Sequence, residues 1–142
     1  TYAKLPNKFE AGTPNISGVI ASGIALDYIN NLELKNIAKY EDALLKYATG
    51  KLLEIDGITI YGQTNKKTSV ISFNLENIHH YDIGSIIDNE GIAVRTGHHC
   101  AQPIMDYYKI PGTIRASLSF YNTKEEIDSL ISAIIVAKKM LS

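Results

Sequence analysis

The apolar residues change period near Gly57, and that change constrains the fold more than any other feature. Before it, apolar side chains recur every three to four residues, the repeat of an amphipathic helix. Ile16, Ile20, Ile24 and Tyr28, with Val19 alongside, predict a helix from Ile16 capped by Asn15. Ile37, Tyr40, Leu44, Ala48 and Leu52 predict a longer one from about Glu33 to Glu54. After Gly57 the short β-branched run Ile58–Tyr61 reads as a strand, Val70–Leu75 and Thr113–Phe120 alternate with a repeat of two, as on half-buried strands, and Ile92–Arg95 reads as a third strand between them. A short helix holding Ile83, Ile86 and Ile87, capped by Asp82 and stopped by Gly91, separates the second strand from the third. Thr123 and Glu126 form a capping box for a last helix with Ile127, Leu130, Ile131, Ile134 and Leu141 inward. Residues 1–15, broken by Pro6, Gly12 and Pro14, read as irregular. Two helices, two strands, a helix, two strands and a helix predict an α+β fold, a mostly antiparallel four-stranded sheet with packed helices.

Composition excludes several classes. The 142 residues suit one ordinary domain, and 45% hydrophobic content is enough for a core. A net charge of −1, from 14 basic and 15 acidic residues, predicts neither nucleic acid nor anionic membrane as partner. No apolar run approaches the roughly 20 residues that span a bilayer. One cysteine allows no internal disulfide and fits a reducing, cytoplasmic compartment. A start at Thr1 rather than Met reads as a piece of a longer protein.

Twelve lysines stand against only two arginines, Arg95 and Arg115. Where lysine serves as the general cation, arginine is expected where a planar, two-pronged donor is needed. Alternation places Arg115 with Ser117 and Ser119 on the polar face of its strand, behind a hinge at Gly112. That position suits a carboxylate clamp. Arg95 opens the loop Arg95-Thr96-Gly97-His98-His99-Cys100-Ala101-Gln102-Pro103, which gathers the lone thiol and two of the four histidines. Cysteine is the strongest nucleophile among side chains, although a free cysteine is commonly buried and inert. The polar, glycine-containing context favours a reactive, mobile loop. A metal site made from His98, His99 and Cys100 is disfavoured, because adjacent residues project in different directions. His79 and His80 read as a solvated turn.

Arg95–Pro103 resembles the active-site loop of the second, Suf-type class of cysteine desulfurases and their selenocysteine-lyase relatives. Two other segments match in the same order. One is Lys8-Phe9-Glu10-Ala11-Gly12-Thr13-Pro14-Asn15; the other is Thr113–Leu118 followed by Tyr121-Asn122-Thr123. The resemblance implies a pyridoxal-phosphate enzyme of the aminotransferase class V fold, with this chain as its small C-terminal domain (16–142) joined through 1–15 to a large domain. It implies a homodimer that takes sulfur from L-cysteine, releases L-alanine and passes the sulfur to a Suf-type acceptor protein for iron–sulfur cluster assembly. Cys100 would hold the sulfur as a persulfide and Arg115 the substrate carboxylate. Arg95 would position the loop and support the substrate site. Thr13, with Gly12 beside it, would reach the cofactor phosphate of the other subunit. The family's cofactor lysine follows a histidine, and none of the twelve lysines here does, so the fragment alone is expected to be inactive. A cofactor-free persulfide carrier is the reading from another class, and it would need no carboxylate clamp.

Overall fold

The computed structural model describes residues 1–142, which divide into two compact units, 1–37 and 38–142. In the first, a single 3-10 turn (Asn7–Phe9) precedes helix α1 (Ile16–Leu32). The Asn15 side chain caps α1 by accepting from the Gly18 amide at 3.1 Å. The helix is where the periodicity puts it, but it buries none of its residues, and Ile20 and Ile24 are 61% and 66% exposed. Helix α2 (Leu34–Leu53) runs from this unit into the next.

The second unit is a four-stranded antiparallel sheet with helices. Strands β1 (Ile58–Tyr61), β2 (Val70–Leu75), β3 (Arg95–Gly97) and β4 (Thr113–Ser117) lie in the order β1-β2-β4-β3. Helix α3 (His80–Asn89) links β2 to β3, α4 (Gln102–Tyr108) links β3 to β4, and α5 (Lys124–Leu141) closes the chain. Alternation decides which face is which. Ile60, Ile71, Phe73, Leu75, Ile114 and Ala116 are buried in one cluster with Leu44 and Leu52 of α2, Ile83 and Ile87 of α3, and Ile127 and Ile134 of α5. Tyr47 of α2 donates to Asp128 of α5 at 2.7 Å, tying two of these helices together. Ser72, Asn74, Thr113 and Arg115 are left on the opposite face, where α4 lies.

Several expectations need correction. The third strand begins at Arg95, not Ile92. Beyond Ser117, β4 turns away, because the Ser119 amide donates to Asn122 Oδ1 and the Asn122 amide to the Ser119 carbonyl. Phe120 therefore lies outside the strand, and β3 pairs with β4 only over Arg95–Gly97. His79, not Asp82, caps α3: its ring accepts from the Tyr81 amide, and Asp82 sits in the first turn. His80 is 7% exposed rather than solvated. Between Cys100 and β4 the chain forms the seven-residue helix α4. In α5 the capping box forms as read and Ile131 packs half-buried against the core, while Ala133 and Ala137 are buried and Leu141 is exposed.

The turn before β4 leaves no room for a side chain. A Cβ at Gly112 would stand 2.7 Å from His80 Nε2 and 2.8 Å from the Gly97 carbonyl carbon. The second contact is backbone of the neighbouring strand and cannot swing aside. Gly112→Ala should cost about 1–3 kcal/mol, the usual penalty of overpacking, read as a lower urea midpoint at unchanged slope. An unchanged midpoint would mean that the β3–β4 end is looser than this packing implies.

Candidate functional site

The two arginines are cross-strand partners. Arg95 stands directly opposite Arg115 in the β3–β4 ladder, so both side chains leave the same face of the sheet. Like charges placed so repel, and no acid neutralises them, since every ion pair of the chain joins a lysine to an acid. Arg115 Nε is buried without a hydrogen-bond partner. Buried donors are nearly always satisfied, so this one marks a place prepared for an acceptor. Arg115 opens onto a cavity of about 430 Å³, lined also by Tyr61, Ser72, His99, Tyr108 and Thr113. Tyr61 and Tyr108 meet edge to face at 5.1 Å and form its aromatic wall.

Cys100 lies at the rim. It is exposed, and its neighbours His99 and Ala101 line the cavity although it does not. Arg95–Gly97 is strand and Gln102 begins α4, so the loop proper is only His98–Ala101. It is tightly bent, with His99 at φ 54° and Cys100 at φ 57°. Two successive non-glycine residues in the left-handed region cost about 1–2 kcal/mol each and persist only where the surroundings hold them. Three contacts do so. The Cys100 amide donates to His98 Nδ1 at 3.2 Å, and the Ala101 amide to the His98 carbonyl at 2.8 Å. His99 Nε2 lies 3.2 Å from the Thr113 carbonyl and 3.0 Å from its hydroxyl. A carbonyl only accepts, so the ring proton is on Nε2, and Nδ1 is left buried and without a partner.

Burial, reinforced by the neighbouring Arg115 guanidinium, holds the His99 pKa below the usual 6.5, against the raising effect of the Thr113 carbonyl. Burial also lowers His80, with His79 and His99 adding to the effect. Both rings are therefore neutral in the folded chain where the unfolded chain would protonate. Above pH 6.5 they cost nothing. As pH falls through 6.5 towards the folded values, the unfolded chain gains protons that the native state refuses, and stability is lost. The urea midpoint should therefore fall between pH 7.5 and 5. His99→Gln should fall by less; an identical fall in the variant would refute the assignment.

Of the residues singled out in the sequence, the structure brings Arg95, Arg115 and Cys100 to one end of one sheet face. Gly12 and Thr13 belong to the unit of residues 1–37, where both are exposed. The contact between His99 and Thr113 is not expected from the sequence; it spans fourteen residues and leaves no local pattern. No group of three or more His, Cys, Asp or Glu side chains is placed to hold a metal ion. No helix is long and apolar enough to cross a membrane.

A neutral-walled cavity with an unpaired guanidinium and a thiol at its rim can hold a small carboxylate and present it to sulfur. None of the twelve lysines is buried or lines the cavity.

Comparison with known proteins gives the class. The model of the aminotransferase class-V family matches residues 1–130, and the chain belongs to that family. Within it, the chain is 52% identical over 134 residues to a cysteine desulfurase of Escherichia coli O1:K1, covering 94% of this chain and 33% of that protein. It is 50% identical over 141 residues to the cysteine desulfurase of Salmonella agona strain SL483, covering 99% and 34%. The chain thus spans about a third of the length of the curated relatives it matches. The crystal structure of the cysteine desulfurase CsdA from E. coli superposes with a TM-score of 0.90 at 32% identity, over 100% of this chain and 35% of that one. The apo cysteine desulfurase of Thermococcus onnurineus NA1 gives 0.87 at 38% identity, over 99% and 35%.

Proposed function

We propose that the chain is the C-terminal small domain, 16–142, of a Suf-type cysteine desulfurase, with 1–15 leading from its large domain. The observation that carries this reading is Arg115, paired across the sheet with Arg95 and without an acid, lining a cavity with an exposed cysteine at its rim. An α-amino acid has the carboxylate such a pair lacks. Bidentate contact with Arg115 would satisfy the orphaned Nε and fix the substrate by charge-assisted hydrogen bonds, with Arg95 supporting the site.

The Cys100 thiolate then attacks the substrate sulfur. A sulfur–sulfur bond forms, the Cβ–sulfur bond breaks, and the departing pair takes a proton to become the methyl group of L-alanine. Pyridoxal phosphate, bound in the complete enzyme through a lysine outside these residues, supplies the electron sink for that cleavage. In the homodimer, Gly12 and Thr13 would serve the cofactor phosphate of the other subunit. The persulfide on Cys100 passes to a Suf-type acceptor protein in the cytoplasm for iron–sulfur cluster assembly, and an exposed loop suits delivery to an external thiol.

The full-length enzyme incubated with L-cysteine should yield alanine and one added sulfur on the peptide carrying Cys100, in equal amounts until an acceptor thiol is supplied. Alanine without sulfur on that peptide would place the nucleophile elsewhere.

A further inference from the structure

We propose that His99 is a positioning residue for sulfur transfer, tying the Cys100 loop to the strand that carries Arg115. The inference rests on the reading of Cys100 as nucleophile and Arg115 as clamp. The loop reaches the sheet face through one side chain: His99 Nε2 donates into Thr113, whose carbonyl and hydroxyl lie at 3.2 and 3.0 Å. Thr113 is 1% exposed and stands two residues before Arg115 on β4. The thiol and the guanidinium are therefore joined by a short path, Cys100–His99–Thr113–Ile114–Arg115, with one non-covalent link.

The His99 link is also what the strained backbone needs. The left-handed conformations of His99 and Cys100 are held from within the loop only by the two contacts to His98, whose side chain is exposed. Without the Thr113 anchor, the loop is free to relax and the thiol to wander from a substrate held by Arg115. A misplacement of about 1 Å costs on the order of 100-fold in rate while leaving substrate binding nearly intact. His99 does this best as a neutral ring with its proton on Nε2, and burial beside Arg115 keeps it so.

The test uses the full-length enzyme and L-cysteine, with Cys100→Ser as the control for the function itself. His99→Ala should lower kcat about 10- to 100-fold while KM changes less than about threefold. His99→Gln can place an amide N–H near the position of Nε2, and should recover most of the lost kcat although it lacks a ring. Thr113→Val keeps the packing, removes the hydroxyl and should fall between them; it carries the test if His99→Ala does not fold. A kcat unmoved by His99→Ala, or by Thr113→Val where His99→Ala fails to fold, overturns the proposal. So does a fall in His99→Gln as deep as that of the alanine variant, which would assign the effect to the ring rather than the anchor. If Cys100→Ser itself turns over at the wild-type rate, the desulfurase reading fails first, and that result is separate from the other two.

Discussion

Cys100→Ser in the full-length enzyme should drop alanine production from L-cysteine below detection while pyridoxal phosphate stays bound at wild-type stoichiometry. Attack on sulfur requires a soft nucleophile that can then keep the sulfur as a stable persulfide. A serine hydroxyl is nearly all protonated near neutral pH, reacts poorly with sulfur and cannot form that product. The substitution is otherwise mild. Cys100 is exposed, it fills no part of the core, and its amide bond to His98 Nδ1 does not involve the side chain. Cofactor retention is expected because no lysine here lies at the cavity, and the proposed reading puts the covalent attachment outside these residues. The measurement pairs alanine release with the absorbance of the bound cofactor. Alanine released at the wild-type rate in the presence of an acceptor thiol would remove Cys100 from the reaction and leave the desulfurase likeness as one of fold.

What was legible in the sequence, and what was not, follows from the range of each signal. Strand β2 runs over Val70–Leu75 as the alternation predicts, because one buried face writes itself into every second residue, and β1 over Ile58–Tyr61 as its β-branched run predicts. The Thr123–Glu126 capping box was readable for a similar reason: both partners lie within one helical turn. The fourth strand reads too long because its end is decided by the Ser119–Asn122 turn, while β3 pairs with β4 only over Arg95–Gly97. A histidine can cap a helix as His79 does, but Asp82 was the stronger local signal and took the reading. At the site, the scarcity of arginine pointed to Arg95 and Arg115 separately. Their direct opposition is a matter of strand register, which neither segment carries alone. His99 was hidden in the same way, since its partner Thr113 looks like an ordinary strand residue.

Register is also the basis of the prediction for Arg115→Lys. Lysine keeps the charge but loses the planar fork, so a carboxylate gains one point contact instead of two parallel ones. The affinity for L-cysteine should weaken by about 1–3 kcal/mol, the span of a charge-assisted hydrogen bond, and appear as a raised KM. Saturating L-cysteine should still load Cys100, because the thiol and its loop are untouched and Arg95 remains opposite. The effect on the free protein should run the other way. Arg115 Nε is a buried donor with no acceptor, and an unsatisfied donor of that kind costs about 1–3 kcal/mol. Lysine has no nitrogen at that depth, and its flexible stem can carry the ammonium to the open side of the cavity. The variant should therefore be no less stable than the parent in urea while binding substrate more weakly. A KM unchanged from wild type would show that Arg115 does not hold the carboxylate. A loss of stability equal to the loss of binding would make Arg115 a structural residue, and the unpaired nitrogen would need another explanation.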